Sequence, residues 1–196
     1  MVTTPRVGVV ALQGGVREHV ELLTSLGASP VPLRRPEDLL GPDGLRVDAV
    51  VLPGGESSTI DRLLKLFGLG EPLKAAIVDG LPTLGTCAGL IQLASAIEDP
   101  APGQECFGVL DVTVRRNAFG RQVDSAETTV DTAWGLAQVA FIRAPEVVSH
   151  GPSVTPLAYL HDRLVAVNQG AITGIAFHPE LTGETLFHRH LLESIS

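Results

Sequence analysis

Cysteine is scarce in this chain. Cys87 and Cys106, among 196 residues, are too few for a disulfide scaffold and point to a reducing compartment, so a cytoplasmic location is expected. Neither cysteine belongs to a C-x-x-C pair, and no two histidines stand at ligand spacing, so no metal and no other cofactor is expected. Positive charge is also short: 14 Lys and Arg against 22 Asp and Glu leave a net charge of −8. Duplex nucleic acid is thereby excluded as a partner, because binding that polyanion rests on basic side chains releasing counterions. Aromatics at 4% offer few platforms for stacking single strands. No apolar run approaches the roughly 18 residues that cross a bilayer, so no membrane partner is expected. The opening "MVTTPRVGVVALQGG" holds only a short apolar stretch with one basic residue, stopped by Gln13; it reads as a first buried strand rather than an export signal.

What is present fits one enzyme-like α/β domain over residues 1–196: 44% hydrophobic residues, with Gly 21 and Pro 14 marking many short turns. "RVGVVAL" (6–12) and "VDAVVLPGG" (47–55) are near-continuous apolar strands, and "LPTLGT" (81–86) is a third. "VREHVELLTSLG" (16–27) repeats Val16, Val20, Leu23 and Leu26 at helical spacing. "SSTIDRLLKLFG" (57–68) offers serine caps and a closing glycine, and "CAGLIQLASAIED" (87–99) predicts the next helix. Strands apolar on both faces and alternating with helices predict a mostly parallel sheet covered on both sides, a three-layer sandwich. After about residue 100 short alternating segments predict a mixed or antiparallel extension, closed by a helix in "GETLFHRHLLESI". Reactive groups in such sheets sit beyond the carboxyl ends of strands, so the turns at Gln13, at Gly54-Gly55-Glu56 and at Cys87 are expected on one rim.

"GTCAG" (85–89) has the G-x-nucleophile-x-G form of an elbow between strand and helix. A helix N-terminus aims free N–H groups and a positive dipole end at the sulfur, which favours the thiolate. The alternative is a small buried cysteine beside a glycine-lined turn. A nucleophile needs a base and the base an orienter. Of six histidines, His19, His150, His161, His188 and His190 read as solvated helix faces or loops. His178 differs: it ends the apolar run "GIAFHPE", and Glu180, two residues on, can hold one imidazole nitrogen while the other faces sulfur. A lone strand-end histidine followed by a turn proline would look the same, and only the pairing with "GTCAG" favours chemistry.

Taken together, "LPGGESS" (52–58), "GTCAG" (85–89) and "HPE" (178–180) resemble the class I, or triad, glutamine amidotransferases. Within them "ALQGGVREH" (11–19), "RRNAFGRQVDS" (115–125), "FIRAP" (141–145) and "FHPELT" (177–182) are similar to the glutaminase subunits of pyridoxal 5'-phosphate synthase. Gly15 and Ser58 stand where alanine and threonine are expected and touch no reacting group. The resemblance implies that Cys87 attacks the side-chain amide of L-glutamine, His178 moves the proton and Glu180 orients His178. It implies glutamine binding by Gly54, Gly55, Glu56, Arg116, Ile142 and Arg143, with Gly55 and Ala88 as oxyanion donors. Either arginine suits the substrate carboxylate, and Glu56 suits its ammonium or a loop-fixing role. The implied partner is a separate synthase subunit, twelve copies of each assembling, which receives the ammonia and builds pyridoxal 5'-phosphate from ribose 5-phosphate and glyceraldehyde 3-phosphate. The loop at Gln13 and the Gly54-Gly55 turn would face that partner and gate the oxyanion site. Rival readings are an amidotransferase serving another acceptor such as imidazole glycerol phosphate synthesis, a cysteine-elbow stress or redox protein, and a binding module with an inert Cys87.

Overall fold

The computed structural model of the chain describes residues 4–119 and 126–195. Strand β1 (Arg6–Val10) runs through the Gln13–Gly15 turn into α1 (Val16–Ser25) and back along β2 (Ser29–Leu33), parallel to β1. A single turn, α2 (Pro36–Leu39), and a small hairpin of β3 (Leu40–Gly41) and β4 (Gly44–Leu45) follow. β5 (Ala49–Leu52) enters on the other side of β1. α3 (Ser57–Leu66) and α4 (Gly70–Val78) then lead to β6 (Thr83–Thr86), parallel to β5. The chain therefore reverses its direction of travel across the sheet between β1 and β5, and the crevice outside their carboxyl ends is where a ligand fits.

α5 (Ala88–Leu93) passes directly into β7 (Ala94–Glu98). β8 (Leu110–Arg115), β9 (Ala126–Thr132), β10 (Gly135–Phe141), β11 (Glu146–His150), β12 (Thr155–Leu160) and β13 (Arg163–Gln169) make the extension, antiparallel except where β7 and β8 pair. β14 (Ile172–Ile175) returns parallel to β6, and α6 (Leu186–Glu193) follows. Among the described residues these strands form one 12-stranded sheet along the path β10-β9-β12-β13-β14-β6-β5-β1-β2, with β11, β8 and β7 branching from β13. The parallel block and the mixed extension are thus as expected.

Successive residues of a strand face opposite sides, and β6 shows what lies on each. A Cβ on Gly85 would strike Leu93 and Gly89 of α5, whereas Thr86 reaches His19 of α1, which touches His188 of α6. One face thus carries α5, with α3 packed against it, and the other carries α1 and α6. α5 lies so close that a Cβ at Gly89 would come within 2.0 Å of the Leu52 carbonyl oxygen, so only glycine permits this seating. Every residue of β5 and β6 is buried, which is why both read as apolar runs. Beneath the extension Phe141, Phe177 and Phe187 are fully buried, with ring centroids 5.4 and 5.3 Å apart in sequence order. Each such pair contributes about 0.5–1.5 kcal/mol beyond the area it buries.

Four expectations are corrected. The helix predicted over 87–99 stops at Leu93, because Ala94–Glu98 pairs with β8 and tertiary hydrogen bonding overrides local helix preference. α4 is additional: Pro72 falls in its first turn, where a missing N–H costs nothing, and Leu73, Ala76 and Ile77 face the core. The cap of α3 is Glu56, whose carboxylate accepts from Thr59 N, rather than a serine. His19 and His188 are fully buried rather than solvated; in α1 His19 and Leu22 join Leu23 in the core, with Val16 and Val20 packed at its edge. No helix among the described residues is long and apolar enough to cross a membrane.

Candidate active site

Cys87 caps the N-terminus of α5 with φ 48° and ψ −101°, a left-handed conformation that a side chain enters only under strain. The surroundings hold it there. Its N–H donates to Ile175 O at 2.8 Å, and its carbonyl accepts from Ile91 N at 3.3 Å. Because β14 and β6 run parallel with Ile175 opposite Thr86, both strands deliver their following residues to one rim. His178 lies three residues beyond β14 rather than inside a strand. It bridges to Ala140 of β10, with His178 N donating to Ala140 O at 2.8 Å.

There the imidazole sits beside the Cys87 side chain and the Glu180 carboxylate. Its Nδ1 is 2.7 Å from Glu180 Oε1, and its ring shares the space under Gly54 with the Cys87 side chain. Burial opposes a charge on His178, yet the hydrogen bonds and charge interactions with Cys87 and Glu180 outweigh it and push the pKa up to about 10. All three residues are buried, with exposures of 6% for Cys87, 8% for His178 and 6% for Glu180. Such a buried, hydrogen-bonded set can attack a carbonyl carbon through sulfur, carry the proton on the imidazole and keep the imidazole aligned.

The turn after β5 closes over this set. A Cβ at Gly54 would stand 2.2 Å from His178 Cε1 and 3.3 Å from the Cys87 Cβ, so the absence of a side chain there is what admits the imidazole. Gly15 N donates to Gly54 O at 3.1 Å, and Glu56 N donates to Gln13 Oε1 at 2.8 Å, so the turns after β1 and β5 are clamped together. Neither Gly55 N nor Ala88 N donates to an acceptor among the described residues, which leaves both N–H groups for a ligand.

Glu56 does not stand free for an ammonium group. Its Oε2 accepts from Ser58 and Thr59, and its Oε1 accepts from Arg116 Nη2 at 2.9 Å. Burial works against its charge, but those hydrogen bonds and the Arg116 charge hold its pKa below the usual carboxylate value. Arg116 is further tied to Gln104 Oε1 at 2.9 Å, and Gln104 to Ser57 Oγ at 3.0 Å, a strut that sequence reasoning did not find. Arg143, at φ 43°, is exposed and has no ion pair among the described residues.

The cavity in front of the sulfur measures about 560 Å³ and is lined by every expected site residue except Ala88, which lies directly behind Cys87. Of the stretch 115–125, residues 120–125 lie outside the described residues. A second cavity of about 650 Å³, between α3, α4 and Phe107, holds no member of the buried set. No group of three or more His, Cys, Asp or Glu side chains is placed to hold a metal ion, among the described residues.

Comparison with known proteins adds to this geometry. A family model described as the SNO glutamine amidotransferase family matches residues 9–196. The pyridoxal 5'-phosphate synthase subunit PdxT of Corynebacterium diphtheriae is 53% identical over 189 residues, covering 96% of this chain and 99% of its own. The PdxT of Acidothermus cellulolyticus is 50% identical over 200 residues, covering 98% and 94%. A crystal structure described as a glutamine amidotransferase superposes with a TM-score of 0.87 at 43% identity, covering 95% of this chain and 97% of its own.

Proposed function

The chain belongs to the SNO glutamine amidotransferase family, and on that premise we propose that Cys87, His178 and Glu180 are its catalytic triad. It is the glutaminase subunit of pyridoxal 5'-phosphate synthase, an enzyme that uses L-glutamine and works with a synthase subunit. The observation that carries the triad is the meeting of the Cys87 and His178 side chains under Gly54, with Glu180 Oε1 on His178 Nδ1 at 2.7 Å.

The reaction follows from that placement. Glutamine enters the cavity with its side-chain amide over Cys87. The sulfur, its proton already held by His178, bonds to the amide carbon, and negative charge gathers on the amide oxygen. Gly55 N and Ala88 N are the donors offered to that oxygen; removing one such donor typically costs about 10²–10³ in rate. The C–N bond then breaks as His178 returns the proton to nitrogen, releasing ammonia and leaving a γ-glutamyl thioester. Water adds to the thioester, with His178 taking its proton, and glutamate departs with the sulfur free again.

Arg143 is the anchor for the substrate carboxylate, since Arg116 is already held by Glu56 and Gln104. Glu56 caps α3 and fixes the wall of the cavity, and Ile142 lines it beside Arg143. Gln13, clamped to the turn that carries Gly54 and Gly55, is the contact through which a docked synthase subunit reaches the oxyanion site. The family resemblance supplies the rest of the reading: ammonia passes between the subunits, twelve of each assemble, and the acceptor derives from ribose 5-phosphate and glyceraldehyde 3-phosphate. Two unpaired cysteines support a cytoplasmic, reducing setting.

Glutamate release by wild type and by Cys87→Ala, each with and without the synthase subunit, tests this. Synthase-stimulated release that falls about 10⁴-fold in the variant is expected. Equal release by wild type and variant would remove the triad, and equal release with and without synthase would remove the gating.

A further inference from the structure

Behind the triad, on the α1 and α6 face of the sheet, lie two imidazoles that the reaction above leaves unused. His19 and His188 have no exposed surface. His19 Nδ1 is 2.8 Å from His188 Nε2, while His19 Nε2 is 3.2 Å from Thr86 Oγ1 and 3.5 Å from Glu180 Oε1. That carboxylate oxygen is the one that holds His178, and Thr86 is the residue before Cys87. One ring therefore touches both the orienter of the base and the backbone neighbour of the nucleophile.

We propose that His19 is a positioning residue for the triad, set by His188 so that its Nε2–H points at Thr86 Oγ1 and the neighbouring Glu180 Oε1 and backs the carboxylate that holds His178. The inference rests on the Cys87-His178-Glu180 reading and deepens it. Burial keeps both rings neutral, reinforced at His19 by the charges of His188 and His178, so each ring carries a single N–H. If His19 donated through Nδ1, its bare Nε2 would confront a buried carboxylate. His188 would then carry its proton on Nδ1, which has no partner among the described residues. If His188 donates through Nε2, the His19 proton lies on Nε2 towards Glu180, and the unpartnered atom is only a lone pair. Buried orphan donors are rarer than under-used acceptors, so the second arrangement wins. Glu180 Oε2 has no partner either, among the described residues, so Oε1 alone sets how the carboxylate is turned. His178 hydrogen-bonds that oxygen from the loop after β14, and His19, held to Thr86, packs its Nε2 against the same oxygen from α1 at 3.5 Å.

Steady-state glutamate release in the presence of the synthase subunit separates positioning from mere packing. His19→Leu and His188→Leu are expected to lose about 10- to 100-fold in kcat, the scale of a misplacement near 1 Å. Their KM for glutamine should stay within about 2-fold, because neither residue lines the cavity. His19→Gln, whose amide N–H₂ reaches the place of Nε2, should recover most of kcat. His19→Leu that melts as a folded protein and keeps the wild-type kcat overturns the proposal, as does a loss that appears only in KM. Should His19→Leu fail to fold, His188→Gln against His188→Leu decides: equal kcat overturns it, and a loss confined to leucine supports it. Wild type that releases no glutamate would instead sink the triad itself. Active wild type with dead Cys87→Ala and unaffected histidine variants sinks only this inference.

Discussion

The amide of Cys87 donates to the carbonyl of Ile175 at 2.8 Å, so the proposed nucleophile is hydrogen-bonded to the strand that delivers the proposed base three residues later. Residues 87 and 178 are far apart in the chain, yet one parallel ladder between β6 and β14 sets their separation. Little of the alignment is left to the side chains alone.

Gly54→Ala tests that alignment from above. The added methyl would start 2.2 Å from His178 Cε1, and the ring must move because the Gly54 carbonyl is tied to Gly15. The kcat for glutamate release should fall on the order of 10²-fold or more, as a misplacement near 1 Å implies. Unchanged kcat would show that the ring is not held by the turn.

The two arginines should separate kinetically. Arg143→Ala is expected to raise the KM for glutamine about 10-fold with kcat changed less than about 3-fold, the pattern of lost ground-state binding. Arg116→Ala leaves the Glu56 carboxylate without its cation and should lower thermal stability along with kcat. Melting curves beside Michaelis curves for both variants check this.

Thiol reactivity distinguishes the cysteines. Burial raises the pKa of Cys106, which makes it a sluggish nucleophile at neutral pH although it is the more accessible of the two. Iodoacetamide followed by mass analysis should label Cys87 before Cys106 in the folded protein and both equally after denaturation. Equal labelling in the folded protein would favour an inert Cys87.

Acid should destabilise the fold through His188. Its folded pKa is lowered to about 4 by burial, below the ordinary 6.5 of the unfolded chain. The unfolded state therefore takes up a proton first. The stability tied to a neutral His188 is complete above about pH 6.5 and drains away as pH falls towards 4. Near pH 5 the loss is about 2 kcal/mol, or roughly 5 °C in Tm for a chain of this size. Melting at pH 7 and pH 5 should show this fall, and His188→Leu should reduce it.

The parallel half was readable because its central strands β5 and β6 are buried on both faces and so appear as unbroken apolar runs, and because glycines mark their ends. Cys87, His178 and Glu180 stood out in the sequence because "GTCAG" and "HPE" each lie at the end of an apolar run. β7 was not, since "ASAIE" holds helix-compatible residues and becomes a strand only by pairing with Leu110 and Thr113–Arg115. His19 and His188 were not, since nothing local says that α1 and α6 meet over Thr86. For Glu56 the sequence left open an ammonium ligand or a loop-fixing role, and its contacts with Ser58, Thr59 and Arg116 favour the second.

The bridge from Ala140 to His178 makes the molecule indivisible. A parallel core trimmed of its later hairpins would keep the sulfur on its bend but leave the imidazole without the β10 backbone that moors it. A minimal enzyme cannot be cut from the amino-terminal half, and grafting the elbow onto another α/β scaffold transfers an inert thiol unless that tether travels with it.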